Sequence, residues 1–390
     1  MIELQNDELI FTFPDLRSRL KDRAQAWIDA RFAAATSEQR ARLPSTRAEL
    51  YSTFDWYLPR ARVAVSFQRT LRIPDDGKDY PLPPGLGRFP VFHVDDYPGV
   101  PESWKKRGGV MMPMHRAEAL WLSFSADYPM AMRIAAGGIC ALSGGCWSPV
   151  LQNPPQNYVV LPEQPWLDGF RVGDGVIRQF VAVPLGKGLT VEQQLTGEES
   201  WGGLQLQAFP VAIDKCWAEQ VERKLEVEWQ AMTAPPASRR GQIYFSRTAD
   251  PISGMRSSVS EAGLGAGGRM RQKITADPYG LEAWDISRTS RCYVHLCLAD
   301  DWMRLTGTPT PHQPPTAKDY TRARLPWFDY EDAKTAVEGT TALSNVKSVN
   351  ALVGEKTGLE IPDNATLDPA NVVRFKSHFP RPVREYGGSE

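Results

Sequence analysis

Cysteine is scarce in this chain. Cys140, Cys146, Cys216, Cys292 and Cys297 are an odd set in 390 residues, and no two of them have CxxC spacing. A disulfide framework is therefore excluded, and buried free thiols are the expected state. Metal ligation has little to work with, because His93, His115, His295, His312 and His378 are scattered. Only Cys292, His295 and Cys297 lie close together, and in a strand only the last two would share a face. No metal and no cofactor are expected. Long apolar runs are also missing. The most apolar stretch, 176–185, contains Arg178 and Gln179 and falls short of the roughly 20 residues that span a bilayer. The chain begins Met-Ile-Glu-Leu-Gln-Asn-Asp-Glu, with acids where a leader needs positive charge, so no membrane partner and a cytoplasmic location are expected. Neither sign of charge is in excess. Lys and Arg total 45 against 46 Asp and Glu, which argues against general nucleic-acid binding.

Catalytic signatures are absent in the same way. There is no GxSxG, HExxH, Walker A or EF-hand loop. The adjacent carboxylates Asp95-Asp96, Glu198-Glu199 and Asp300-Asp301 would point to opposite faces of a strand, so they are not ready acid–base pairs. Asp300 reads as the cap of a short helix over 302–305 stopped by Gly307. Asp95-Asp96, two residues from His93, reads as a turn former before it reads as acid–base chemistry. Gly263-Leu-Gly265-Ala-Gly267-Gly268 matches GxGxxG as a string. A dinucleotide site needs a strand directly before it and a helix directly after, whereas here a Ser- and Gly-rich stretch, 248–268, predicts a loop. Gly265, Gly267 and Gly268 followed by Arg269, Arg271 and Lys273 leave a weaker candidate, a phosphate or anion loop.

What is present is strongly patterned. Residues 9–13 predict a strand, with Asp15 capping a helix whose Leu16, Leu20, Ala24, Trp27, Ile28 and Phe32 form one stripe. Ser37 is read as the cap of a second helix, and Thr46 with Glu49 as the capping box of a third. Alternation predicts strands over 62–73, 120–124, 157–161, 176–183, 190–196, 204–208, 241–247, 269–274 and 292–298. Residues 130–134 and 139–142 read as a hairpin turning at Gly137-Gly138. Residues 213–232 read as a helix ending near Arg223 followed by a strand. Four prolines between 308 and 316 predict an extended arm, with one or two short helices over 343–353. The expected regions are 1–107 (helical and mixed), 108–212 (central antiparallel β), 213–307 (a second β-containing part) and 308–390 (the arm).

Aromatic residues are plentiful, with 12 Trp, 12 Tyr and 15 Phe. Trp104, Trp147, Trp166, Trp201 and Trp327 sit beside Pro or Gly in predicted loops. Lids over the ends of β-layers are the first reading, an interface (Trp147, Trp166, Trp201, Trp327 and Phe328) the second, and a ligand platform the third. Arg178, inside an apolar strand, requires a partner if buried, and Asp168 and Glu192 are the candidates.

The stretches Pro165-Trp-Leu-Asp-Gly169, Gly175-Val-Ile-Arg-Gln-Phe-Val-Ala-Val-Pro-Leu-Gly186, Thr190-Val-Glu-Gln-Gln-Leu-Thr-Gly197 and Gly202-Gly-Leu-Gln205 resemble a family of hypothetical microbial proteins. Met112-Pro-Met-His115, residues 263–272 and Leu325-Pro-Trp-Phe-Asp329 share the resemblance. It spans most of 110–330 and implies no catalytic residue, because no activity is established for the family.

The sequence therefore predicts a β-rich α+β protein: a central antiparallel β-sandwich or barrel, a small helical N-terminal part and an extended C-terminal arm. The leading functional expectation is a non-catalytic, self-associating structural or binding protein, its contacts made by loop aromatics and the arm. The alternative is an enzyme or small-ligand protein with a pocket near Met114, His115, Asp168, Arg178 and Glu192. Anion binding at 263–273 is the third.

Overall fold

The computed structural model describes residues 1–234, 261–323, 326–331, 336–337, 341–359, 361–362, 364–369 and 372–376. The strand expected over 241–247 and Leu325 lie outside the described residues. Asn6 and Asp7, both at positive φ, turn the strand Ile2–Gln5 back onto Glu8–Thr12. A two-residue turn of that hand matches strand twist. The first helix runs Pro14–Ala34 and buries Leu16, Leu20, Ala24 and Ile28 as one stripe. Asp15 is not its cap. Proline's fixed φ opens the helix at Pro14, so Asp15 falls inside the first turn, where it faces the helix dipole. Thr36, not Ser37, caps the second helix, with Gln39 closing a capping box; the Thr46–Glu49 box forms as expected. Asp300 likewise lies within the helix Ala299–Thr306 rather than capping it, and Gly307 ends that helix in the left-handed region.

One large sheet carries the fold. Its spatial order is Ile2–Gln5, Glu8–Thr12, Arg62–Thr70, Ala119–Ala126, Val176–Pro184, Glu261–Arg271, Ser290–Leu298, Leu204–Pro210, Met130–Ala136 and Val159–Leu161, each antiparallel to the next. Strands from the first three expected regions are thus neighbours in a single sheet. Two strands divide an edge between successive partners. Val176–Pro184 pairs with Gly169–Gly173 and then with Ala119–Ala126, and Ser290–Leu298 pairs with Leu204–Pro210 and then with Glu261–Arg271. The sheet folds over a common apolar core but does not close, so the fold is a sandwich or open sheet and not a barrel. Among the described residues no helix is long and apolar enough to cross a membrane.

Three expected elements are different. Residues 190–196 form the helix Val191–Thr196, because Thr190 Oγ1 accepts the Gln193 N–H at 3.0 Å and Gly197 supplies the left-handed stop. Residues 213–233 are helical throughout, passing from Ile213–Cys216 through a π-turn at Trp217–Val221 into Glu222–Thr233. Leu225 and Trp229 face the core from one side of it, so the helical period prevails over the local alternation. The described part of the expected Gly-rich loop, from 261 onward, is the long strand Glu261–Arg271. Its glycines are there for space. A Cβ on Gly263 would stand 2.8 Å from Leu185 and Thr190, one on Gly267 2.7 Å from Val181, and one on Gly268 2.7 Å from Ile73.

The arm packs on its own chain. Tyr320 and Trp327 are buried with Leu71, Ile73, Tyr80, Leu82, Ile177 and Met270, and Phe328 packs partly buried against them. Leu82 and Phe328 exchange two backbone hydrogen bonds of 2.8 Å. Farther along, Leu343 and Val346 enter the main core. The one or two short helices expected over 343–353 are Thr341–Ser344 and Val349–Thr357.

The close approach at Gly268 gives a test. Gly268→Ala must displace the backbone of Ile73, a rigid neighbour, and is expected to cost about 2 kcal/mol. Urea unfolding should show it as a lowered midpoint at unchanged slope; an unchanged midpoint would refute the packing role.

Candidate functional site

Three adjacent strands build the site. In Met130–Ala136, Leu204–Pro210 and Ser290–Leu298 the pairing sets Arg133 opposite Gln207 and Gln207 opposite Arg291. One step along, Ala135 faces Gln205, and Gln205 faces Tyr293. Side chains alternate between faces with period two. Met132, Ile134, Leu204, Leu206, Cys292 and Val294 therefore enter the core, and the Arg, Gln and Tyr side chains share the other face. That second face is also covered. Arg133 and His295 are each 1 % exposed, and Gln205 is fully buried.

The cover is aromatic. Trp104, on the short helix Glu102–Arg107, stacks on His295 with ring centroids 4.7 Å apart and planes 20° from parallel. His295 stacks on Tyr293 (6.1 Å, 16°), and Tyr293 on Trp201 (6.3 Å, 14°). Guanidinium groups lie over these rings. Arg107 is 4.9 Å from the Trp201 centroid and 5.8 Å from that of Tyr293. Arg291 is 4.7 Å from both Tyr293 and Trp147, and Arg133 is 4.6 Å from Trp147. A cation over a ring face is stabilised by the ring quadrupole. Beside Tyr293 opens a cleft of about 250 Å³ whose lining includes Glu3, His93, Asp95, Arg107, Arg291 and Tyr293. The His93–Asp95 segment, a turn as expected, thus stands at a cleft rim.

The two ends of this face differ electrostatically. At the Trp104 end the charges are paired. Glu261 meets His295 Nδ1 at 3.1 Å and Arg107 at 3.6 Å, and His295 Nε2 lies 3.1 Å from the Gly108 carbonyl. Glu192 accepts the backbone N–H groups of Gly138, Trp201 and Gly202; burial raises its pKa and these bonds oppose the rise. At the Trp147 end, Arg291 donates to Gln205 Oε1 and to the Tyr293 hydroxyl, and neither it nor Arg133 pairs with a carboxylate among the described residues. Burial, and secondarily the proximity of Arg291, push the Arg133 pKa down while Cys140 opposes them. Arginine starts so high that it stays charged.

The residues singled out from sequence are dispersed. His115 lies against the arm, its Nε2 3.0 Å from both Thr310 Oγ1 and the His312 carbonyl, while His312 Nε2 meets the buried Glu118 at 3.1 Å. Met114 is in the core. Arg178 pairs with Asp75 at 3.0 Å and donates to the Gly267 carbonyl, so neither Asp168 nor Glu192 is its partner. Asp168 bonds through its backbone N–H to Gln272 Oε1 at 3.0 Å. The anion-loop cations are engaged elsewhere: Arg269 pairs with Asp79 at 2.6 Å, and Arg271 with Asp329 at 3.2 Å. Gly265, Gly267 and Gly268 lie buried within the strand, just ahead of Lys273. That arrangement offers no exposed amide cradle of the kind an anion loop needs, because both strand faces are packed. Of the loop aromatics, Trp147 and Trp201 belong to the stacked face, Trp166 is half-buried beside the arm, and Trp327 is 5 % exposed within its own chain. Cys140, Cys216, Cys292 and Cys297 are buried free thiols, and Cys146 is exposed. No group of three potential metal ligands occurs among the described residues.

Arg107, Arg133, Gln205, Gln207, Arg291, Tyr293 and His295 were not singled out as site residues. Arg107 ends a short helix; the signal of the other six is the alternation of polar with apolar residues in three separate strands, which becomes a site only when the strands are set in register.

Asp168 yields a pH prediction. It is 3 % exposed, and burial pushes its pKa up to about 8, against the pull of a Gln272 hydrogen bond. The folded chain therefore keeps a proton that the unfolded chain releases near 3.8. Stability from this group is full below that value and is lost as pH rises toward 8. Asp168→Asn should flatten the fall of the urea midpoint between pH 5 and pH 8. A variant with the wild-type slope would contradict the assignment.

Comparison with known proteins gives no further guide: no family model, no curated protein and no solved structure matches this chain.

Proposed function

We propose that the chain is a binding protein that takes a small ligand bearing a flat ring in the cleft beside Tyr293, with Arg107 and Arg291 at its walls. The observation that carries this reading is the ring series itself. Three successive ring pairs lie within 20° of parallel and end on Trp201, which is 38 % exposed and carries a guanidinium over its face. A flat ligand ring extends such a series at little entropic cost, since the platform is already ordered, and stacking on one aromatic contributes about 1–3 kcal/mol. A cleft with an aromatic wall and a few convergent polar groups is the ordinary form of a small-molecule site.

A second reading uses the same edge for another copy of the chain. Trp201 would be its contact, and a net charge of −1 imposes little long-range repulsion. The arm contributes less to this reading than the sequence suggested, because Trp327 is already covered in its own chain.

Titration calorimetry with nucleosides, free aromatic amino acids and indole tests the first reading. At least one ring compound should bind, and Tyr293→Ala or Trp201→Ala should weaken it about tenfold or more. Equal affinity in both variants and the wild type would sink the proposal. Light scattering tests the second: a dimer that Trp201→Ala dissociates would support it, and a wild-type monomer would end it.

A further inference from the structure

At the Trp147 end of the face, buried polar atoms without partners collect in one place. Arg133 Nε and Nη1, Trp147 Nε1 and Gln207 Oε1 are all buried, and none has a hydrogen-bond partner among the described residues. Gln207 spends its amide nitrogen on Thr289 Oγ1 at 2.9 Å. It stands directly between Arg133 and Arg291 in the sheet register. Both guanidinium carbons lie within 5 Å of the Trp147 centroid, so the cations and the indole form one cluster. Native interiors satisfy such groups almost without exception, and an unpaired buried cation is more costly than an unpaired neutral group.

The composition of the cluster specifies what would satisfy it. Three N–H donors, two of them on a cation, converge with one acceptor oxygen and a second guanidinium close by. Water supplies two acceptor sites and no charge. An oxyanion supplies several acceptor sites and the missing negative charge, and a singly protonated one also has an O–H for Gln207 Oε1. We infer that Arg133, Trp147, Gln207 and Arg291 form an oxyanion subsite, and that the cleft ligand is a ring compound carrying a phosphate, its ring in the cleft beside Tyr293 and its anionic group at Arg133. This inference rests on the ring-binding reading above for the ring half alone. Arg291 is the hinge between the halves, since it lies over both Tyr293 and Trp147. Trp147 stands over Arg133 and closes this end of the face.

The test uses the full chain and four probes: inorganic phosphate, inorganic sulfate, a purine nucleoside and its 5′-monophosphate. Calorimetry on the wild type should show the monophosphate binding about tenfold or more tightly than the nucleoside, with phosphate or sulfate alone binding weakly. Arg133→Met should abolish the gain from the phosphate. It should not lower the melting temperature of the unliganded protein, because it removes a buried charge that no partner neutralises. If R133M does not fold, Trp147→Phe carries the test. It keeps a ring over the guanidinium but deletes the indole N–H, and should reduce the phosphate gain severalfold. A nucleoside that binds as tightly as its monophosphate overturns the oxyanion subsite and leaves the ring reading standing. A monophosphate whose affinity is unchanged by Tyr293→Ala overturns the ring reading and leaves the subsite. No binding of any probe overturns both. A phosphate gain that survives in R133M, or that is undiminished in W147F where R133M does not fold, overturns the assignment of these residues.

Discussion

Coverage of both faces of the central strands is the constraint from which most of this structure follows. Met132, Ile134, Leu204, Leu206, Cys292 and Val294 fill one side, and Trp104, Trp147 and Trp201 lie over the other. A sheet with one wet face places its polar side chains in water. Here much of the polar face is covered as well, so the groups buried on it, Arg133, Gln205, Gln207 and His295, need partners inside the protein or in a ligand. Gln205 and His295 find theirs in the protein: Gln205 donates to the Gly137 carbonyl at 2.7 Å, and His295 is held by Glu261 and Gly108. Arg133 does not, and that asymmetry distinguishes the two ends of the face.

The same constraint explains the glycine-rich strand. Glu261–Arg271 is buried along most of its length, with Leu185, Thr190, Val181 and Ile73 pressing on it. Side chains there would hold the layers apart. Removing them lets Val349 from the arm and Leu189 approach the backbone directly, so the arm is tied down by what the strand omits. The buried Glu118, reached from the arm by His312 and from the sheet by Arg69 at 3.9 Å, adds a polar clasp near the start of that arm.

Much of the fold was legible in the chain. The stripe of the first helix, the Thr46–Glu49 box, the turn at Gly137-Gly138 and the strands through 120–124, 176–183, 204–208 and 292–298 all follow from period and turn chemistry, because these are local properties. The failures came where two local signals competed. Residues 190–196 alternate, yet a threonine cap and a terminal glycine turn them into a helix; the glycines of 263–268 resemble a loop until their neighbours are known. The candidate site was much less legible. Arg178 was chosen as a polar residue in an apolar strand, with Asp168 and Glu192 as its partners and His115 near a pocket, and each found its own partner in a different place. Of the residues chosen from sequence, Trp104, Trp147 and Trp201 lie on the stacked face, and Glu192 stands beside it on the Trp201 backbone.

By itself the sequence determined that this is a β-rich α+β protein with free thiols and little net charge, since composition and period act within a few residues of one another. Which strands are neighbours, and in which register, was decided by the tertiary structure. Arg133, Gln207 and Arg291 are far apart in the chain, and each is an unremarkable polar residue in its own strand. Pairing aligns them in one row, and the second covering layer keeps water from Arg133 and Gln207. A site made by cross-strand register under a lid leaves no contiguous motif, because the interactions that define it are all between distant segments.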